Sequence, residues 1–244
     1  MKKIISNYLL IIAALYYSAY KVNAQVDTTF WNVDLAAIAK ASTQPGWILF
    51  KDENHINPLT IFDVHKQCFR LGNDDKMELV RKEEDQLGFK HYRYQQKYKN
   101  IKVEGAEFIV HSLNNNSCKL ANGKIAVNLN MDVNPGIPEN VALQNALNYI
   151  GANIYIWELD SLQHLYPIGE IVITRLSDNL SFNAKNFSIA YKFKIIAQEP
   201  FDKNYVYVDA ISGIVLKIVP LIYSCVNATA VTLYNGLVDI KAKF

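Results

Sequence analysis

Residues 87–106 read Leu87-Gly88-Phe89-Lys90-His91-Tyr92-Arg93-Tyr94-Gln95-Gln96-Lys97-Tyr98-Lys99-Asn100-Ile101-Lys102-Val103-Glu104-Gly105-Ala106. Within this stretch His91, Arg93, Gln95 and Lys97 alternate with Tyr92, Tyr94, Gln96 and Tyr98. A strand points successive side chains to opposite faces, so the pattern predicts a strand with one aromatic face. Val103 to His111 is strand-like again, and Lys99-Asn100 between the two suits a tight turn because Asn tolerates positive φ. The stretch therefore predicts an antiparallel hairpin, the motif around which the other elements arrange themselves.

Upstream, Asn57 to Leu71 predicts a helix. Asn57 can cap it, Pro58 suits its first position, and Ile61, Val64, Cys68 and Leu71 recur at helical spacing. Asn73 to Asp85 is densely charged and reads as a solvated surface element. Downstream, Asn122-Gly123 between Leu120 and Ile125 predicts a second hairpin. Met131 to Gly136 reads as a linker, and Pro138-Glu139 opens a second helix that presents Leu143, Ala146, Leu147 and Ile150 on one face and ends at Gly151.

Further strands are expected at Glu170–Arg175, Ile189–Ala197, Tyr205–Asp209 and Ile214–Val219, with Ser212-Gly213 turning the last hairpin. In the second of these Ile189, Tyr191, Phe193 and Ile195 face inward while Lys192 and Lys194 face out. A helix followed by hairpins, twice over, predicts an α+β fold of two tandem small domains, each a helix packed on an antiparallel sheet.

The 244 residues are 50% apolar, 20% charged and 12% aromatic, which suits a globular chain with a substantial core. The net charge of +2 is carried by the first 24 residues, where Lys2, Lys3 and Lys21 meet no acid; the rest has 22 basic against 23 acidic residues, or −1. A nearly neutral chain lacks the field that draws proteins to nucleic acid. This also argues that Tyr92, Tyr94 and Tyr98 are core residues and not a stacking platform for single strands.

The basic start, the apolar run Tyr8–Tyr17 and Val22-Asn23-Ala24 form the parts of a signal peptide with cleavage between Ala24 and Gln25. The expected location is therefore outside the cytoplasm, secreted or periplasmic, with no membrane attachment after cleavage. Cys68, Cys118 and Cys225 encode no disulfide framework, although one bridge is possible. The five histidines, His55, His65, His91, His111 and His164, have no zinc-site spacing, and H-E-x-x-H does not occur.

The segment Leu87–Ala106, with His111 after its second strand, closely resembles the core motif of the fungalysin/thermolysin propeptide domain. Downstream, Pro138–Gly151, then Ala190-Tyr191-Lys192-Phe193 through Gln198-Glu199-Pro200, and Tyr205–Ala210 with Ser212-Gly213, resemble a PepSY domain. The resemblance covers roughly Asp34 to Val219. It implies a signal peptide over 1–24, a propeptide-like domain over 25–130, a PepSY-like domain over 131–220 and, over 221–244, a linker with the start of a peptidase catalytic domain. Asn227–Gly236 is similar to that start, with a turn at Asn235-Gly236, and the chain is expected to stop inside this hairpin. The resemblance also implies cystatin-like domains.

By this resemblance the chain is the pro-region of a secreted thermolysin-like zinc metallopeptidase, serving as intramolecular chaperone and inhibitor until cut away, with cleavage expected between Tyr223 and Val231. Its partner is the peptidase catalytic domain, in cis or in trans. No cofactor is expected in this chain, and zinc, with calcium, belongs to the missing domain. The alternatives are a stand-alone exported inhibitor or binding module, and a fragment of an active enzyme precursor. The family-signature positions, structural in role, are His91, Arg93, Gln95, Gln96, Gly105, His111, Gln198, Asp209 and Gly213; none is assigned to catalysis. His91, Arg93 and His111 could form a ligand or inhibitory cluster, against the plainer reading that each histidine makes one structural hydrogen bond. Glu83, Glu84 and Asp85 are consecutive and read as surface charge.

Overall fold

The computed structural model describes residues 32–41, 46–113, 117–222, 228–232 and 236–240. The leader with its Ala24–Gln25 junction, Cys225 and the stretch 223–227 lie outside the described residues. The fold is mixed α+β, rich in strand and poor in helix. Packing divides the chain into two compact units: the first is 1–72, 77–95 and 106–127, the second 73–76, 96–105 and 128–244. The expected domains, 25–130 and 131–220, are continuous stretches, whereas the tip of the central hairpin counts with the second unit.

The first unit contains α1 (Val33–Ile38), β1 (Ala39–Ala41), β2 (Trp47–Phe50), α2 (Ile61–Val64), β6 (Ser117–Gly123) and most of β3 (Asp75–Glu84), β4 (Phe89–Tyr98) and β5 (Ile101–Leu113), whose residues 75–76 and 96–105 belong to the second. Their order across the sheet is β1-β2-β6-β5-β4-β3. Lys99 and Asn100 both take positive φ, 47° and 66°, the geometry that a two-residue turn needs to match strand twist. Tyr92, Tyr94, Gln96 and Tyr98 are buried as the alternation requires. The charged stretch forms most of β3, an edge strand exposed from Val80 to Glu84, where charge discourages pairing with other chains.

Two expectations fail in this unit. The helix expected over 57–71 is only the single turn α2, followed by a 3₁₀ turn at Lys66–Phe69 and a left-handed Arg70. Aromatic packing decides the break: Phe62 lies 4.9 Å from Phe69, 4.8 Å from Tyr94 and 5.8 Å from Phe108 between ring centroids. Burying both Phe62 and Phe69 leaves Val64 69% exposed, whereas an unbroken helix would have buried it with Ile61 and Cys68. Asn57 accepts a hydrogen bond from the Leu59 amide (2.9 Å) in a turn instead of capping a helix.

Asn122-Gly123 is not a hairpin turn either. It ends β6, with Asn122 paired to Ile109 and Gly123 to Phe108. Glycine is required there because a Cβ would lie 2.3 Å from the Glu107 carbonyl oxygen and 2.6 Å from Phe108 Cα. Cys68 and Cys118 are free thiols in this core, and burial pushes the Cys118 pKa up to about 12.

The second unit contains α3 (Glu139–Ile150), β7 (Ile154–Tyr155), β8 (Glu170–Arg175), β9 (Phe187–Glu199), β10 (Asp202–Asp209) and β11 (Val215–Pro220). Strands β8-β9-β10-β11 are neighbours in that order, and β7 pairs with β9. Helix α3 buries Ala142, Leu143 and Ala146 in a core with Phe193, Ile195, Val206 and Val208, and a left-handed Gly151 ends it. The expected wholly antiparallel sheet is corrected at one pairing: Lys102↔Val172 and Val103↔Ile173 join β5 to β8 in parallel. These strands are far apart in sequence, so a long crossover can bring them side by side.

Lys194 is exposed as expected, but Lys192 is not: its side chain is 12% exposed because Tyr205, Tyr207 and Glu104 cover it. After β11 come β12 (Ala228–Thr232) and β13 (Gly236–Ile240), paired antiparallel from Ala228↔Ile240 to Thr232↔Gly236. Among the described residues no helix is long and apolar enough to cross a membrane.

Candidate functional site

The outward side of β4 carries His91, Arg93 and Gln95, and β5 and β6 supply their partners. His91 Nδ1 lies 2.6 Å from His111 Nδ1, and the rings meet edge to face with centroids 4.9 Å apart. His91 Nε2 is 3.1 Å from Asp85 Oδ2, and His111 Nε2 is 2.9 Å from Asn122 Oδ1. Trp47 of β2 stacks on the His111 ring at 5.1 Å and 22°. Asp85 is itself fixed, since its Oδ1 accepts from the Leu87 amide (2.8 Å) and the Phe89 amide (3.0 Å). The result is a linear chain, Asp85–His91–His111–Asn122, across β4, β5 and β6.

Burial pushes the His111 pKa below the ordinary imidazole value, and the nearby His91 adds to this; the Asn122 hydrogen bond and the Asp85 charge oppose it. Arg93 donates to Glu107 Oε2 (2.9 Å) in a solvated ion pair. Gln95, though on the same side, is buried and donates to the Ala106 carbonyl at 3.1 Å.

The remaining signature positions lie within the second unit. Gln96 is fully buried and donates to Asp75 Oδ1 at 2.8 Å. Gly105 sits at φ +73° in β5, where a Cβ would meet the Phe182 ring at 3.6 Å. Asp209 accepts from the amides of Ile211 (3.0 Å) and Ser212 (2.7 Å) and from the Ser188 hydroxyl. Desolvation raises its carboxyl pKa, but these bonds outweigh it and hold the group below the usual range. Gly213 completes that turn at φ +75°, with Asn145 Nδ2 donating to its carbonyl at 2.9 Å. Gln198 is exposed near the end of β9. The structure thus brings together His91 and His111, and Asp209 and Gly213.

A second polar cluster surrounds Glu104. Its Oε1 accepts from Lys192 (3.0 Å) and lies 3.3 Å from Lys102 Nζ, and its Oε2 accepts from the Tyr207 hydroxyl (3.1 Å). Burial raises the Glu104 pKa, but Lys192, Lys102 and Tyr207 together hold it below the ordinary carboxylate value. A cavity of about 210 Å³ beside it is lined by Arg175, Asp178, Tyr207 and Lys217. Lys217 donates to Asp178 at 2.9 Å and Arg175 lies 3.6 Å from it, so these cations face a carboxylate already in place.

The sequence reading missed Asp85, Asn122, Trp47, Asp75, Glu104 and Lys192 as partners. Asp85 stood among surface charges and Asn122 in a supposed turn. For Glu104 a signal existed: it shares a strand face with Lys102, two residues before it, while Lys192 and Lys194 alternate in β9 and Tyr205 and Tyr207 in β10. Among the described residues no group of three metal-ligating side chains converges. The arrangement can hold a proton, a sheet face and a turn in place.

Residues 75–125 match the family model described as the Fungalysin/Thermolysin Propeptide Motif. The match spans β3 to β6, so its unit is the four-stranded meander that carries the histidine pair. The match is to a propeptide motif and is confined to this region of the chain. No curated protein matches the sequence significantly. Among solved structures, the Bacillus megaterium YpeB C-terminal domain aligns at 11% identity and TM-score 0.35 over 73% of each chain, below the level of a shared fold.

Proposed function

We propose that the chain is the exported pro-region of a thermolysin-like zinc metallopeptidase, acting as chaperone and inhibitor of that peptidase's catalytic domain. The observation that carries this reading is the propeptide motif over residues 75–125. In this reading the downstream domain, 131–220, takes the PepSY role and both domains are cystatin-like. Zinc and calcium belong to the partner; residues 221–244 are the linker and the start of the catalytic domain, and cleavage within 223–231 separates the two. A protein that binds only the folded form of its partner raises that form's population by mass action, so one surface can both assist folding and block activity. The partner is met in cis, or in trans if the chain acts alone.

The test is titration of the purified chain, freed of residues 1–24, against a thermolysin-like peptidase. Peptide hydrolysis should fall with added chain and return once the chain is digested, and the yield of refolded peptidase should rise. Absence of both effects at micromolar chain would overturn the reading. An open reading frame beyond Phe244 encoding H-E-x-x-H would assign the partner in cis.

A further inference from the structure

Only one proton fits on the 2.6 Å axis between His91 Nδ1 and His111 Nδ1: one nitrogen donates and the other must offer its lone pair. At the outer ends, Asp85 can only accept, so His91 Nε2 carries a proton; with Asn122 Oδ1 turned toward it, His111 Nε2 carries another. The pair then holds three protons and one positive charge. A fourth proton would set N–H against N–H at this separation, so the two rings titrate as a unit and the doubly charged form cannot keep the link.

The charged groups around the pair are few. Asp85 comes from the β3–β4 connection, Arg93 from β4 is joined to Glu107 from β5, and Lys82 of β3 lies 5.4 Å from the Tyr92 ring centre. From β2 and β6 the facing groups, Trp47 and Asn122, are uncharged.

We propose that His91 and His111 form an acid-operated latch on the first unit: near neutral pH the shared proton ties β4 to β5, and through Asn122 and Trp47 to β6 and β2, and acidification opens this joint. The buried environment that depresses His111 protonation acts in the same direction. Two unfolded imidazoles titrating near ~6.5 hold fewer than three protons above that pH and more than three below it. The latch's contribution is therefore greatest near that pH and is lost as pH falls below it. It is a property of the chain alone, so its test needs no peptidase.

The ring C–H signals of His91 and His111, followed by NMR in the wild-type chain from pH 8 to 5, should titrate in two steps separated by more than about one unit, and amide protection in β5 should fall with the second. Two independent single-site curves with unchanged protection would overturn the latch. In urea, the wild-type unfolding constant should pass through a minimum near pH ~6.5 and rise about threefold by pH 5.5, whereas His91→Gln, which keeps Trp47 on His111, should show no minimum. The same minimum in both chains would likewise sink it. Should the variant not fold, the wild-type titration decides.

Discussion

The two units fix polar groups on their sheets with different chemistry. The first places a pair of imidazoles and a solvated Arg93–Glu107 bridge on the outward side of β4. The second buries a carboxylate, Glu104, among Lys192, Lys102 and Tyr207. Imidazoles change charge within the physiological range, whereas a carboxylate already held below its ordinary pKa stays charged through it. The proposed histidine latch therefore answers to mild acid, and the Glu104 cluster does not.

The comparison is tested hardest where both units rely on the same contact. Phe108 and Phe193 are each completely buried, and Phe108→Ala and Phe193→Ala should each cost about 3–5 kcal/mol in urea unfolding. A large difference between them would show that one core relaxes around the cavity and the other does not. The glycines should separate more clearly. Gly123→Ala drives a Cβ into backbone atoms and should cost about 3 kcal/mol or more. Gly213→Ala meets two movable side-chain ends, the Asn145 amide at 2.7 Å and Ile137 Cδ1 at 3.2 Å, besides its positive φ, and should cost about 1–2 kcal/mol.

The charge pairs should show the smallest effects and the sharpest contrast. Glu104→Gln leaves Lys192, 12% exposed, without its counter-charge and should cost about 2–3 kcal/mol. Glu107→Gln removes a partner from Arg93 where both side chains are about 40% exposed, and should cost about 0–1 kcal/mol. The pH dependence follows in sign. The folded Glu104 pKa lies below the unfolded value, so its contribution is present above about pH 4.5 and is lost on further acidification. Stability curves of wild type and Glu104→Gln should therefore converge below pH 4 and run parallel between 5 and 7.

The sequence was most legible where structure is local. Helix α3, with Pro138 before it and Gly151 after it, and strands β8 to β11 lie close to where periodicity puts them, because one-sided apolar patterns there match one-sided burial. Lys192 broke the pattern because the sheet face it occupies is covered by Tyr205 and Tyr207. In the first unit the helical spacing of Ile61, Val64 and Cys68 was real but lost to the packing of Phe62 and Phe69. Asn122-Gly123 has turn chemistry, yet here the glycine serves a close backbone approach. The histidine pair was named as candidate residues, but its geometry depends on a three-strand register that single-sequence spacing does not encode, and its anchors, Asp85 and Asn122, were hidden for the same reason.

The two core thiols give the first unit a memory. Cys68 and Cys118 are shielded from solvent, and burial keeps both protonated and slow to react. An alkylating reagent can mark them only in a molecule whose first unit has come apart, and the mark is permanent. Brief exposure to such a reagent at successive pH values, followed by mass analysis of the peptides around residues 68 and 118, would turn transient opening into a count of molecules.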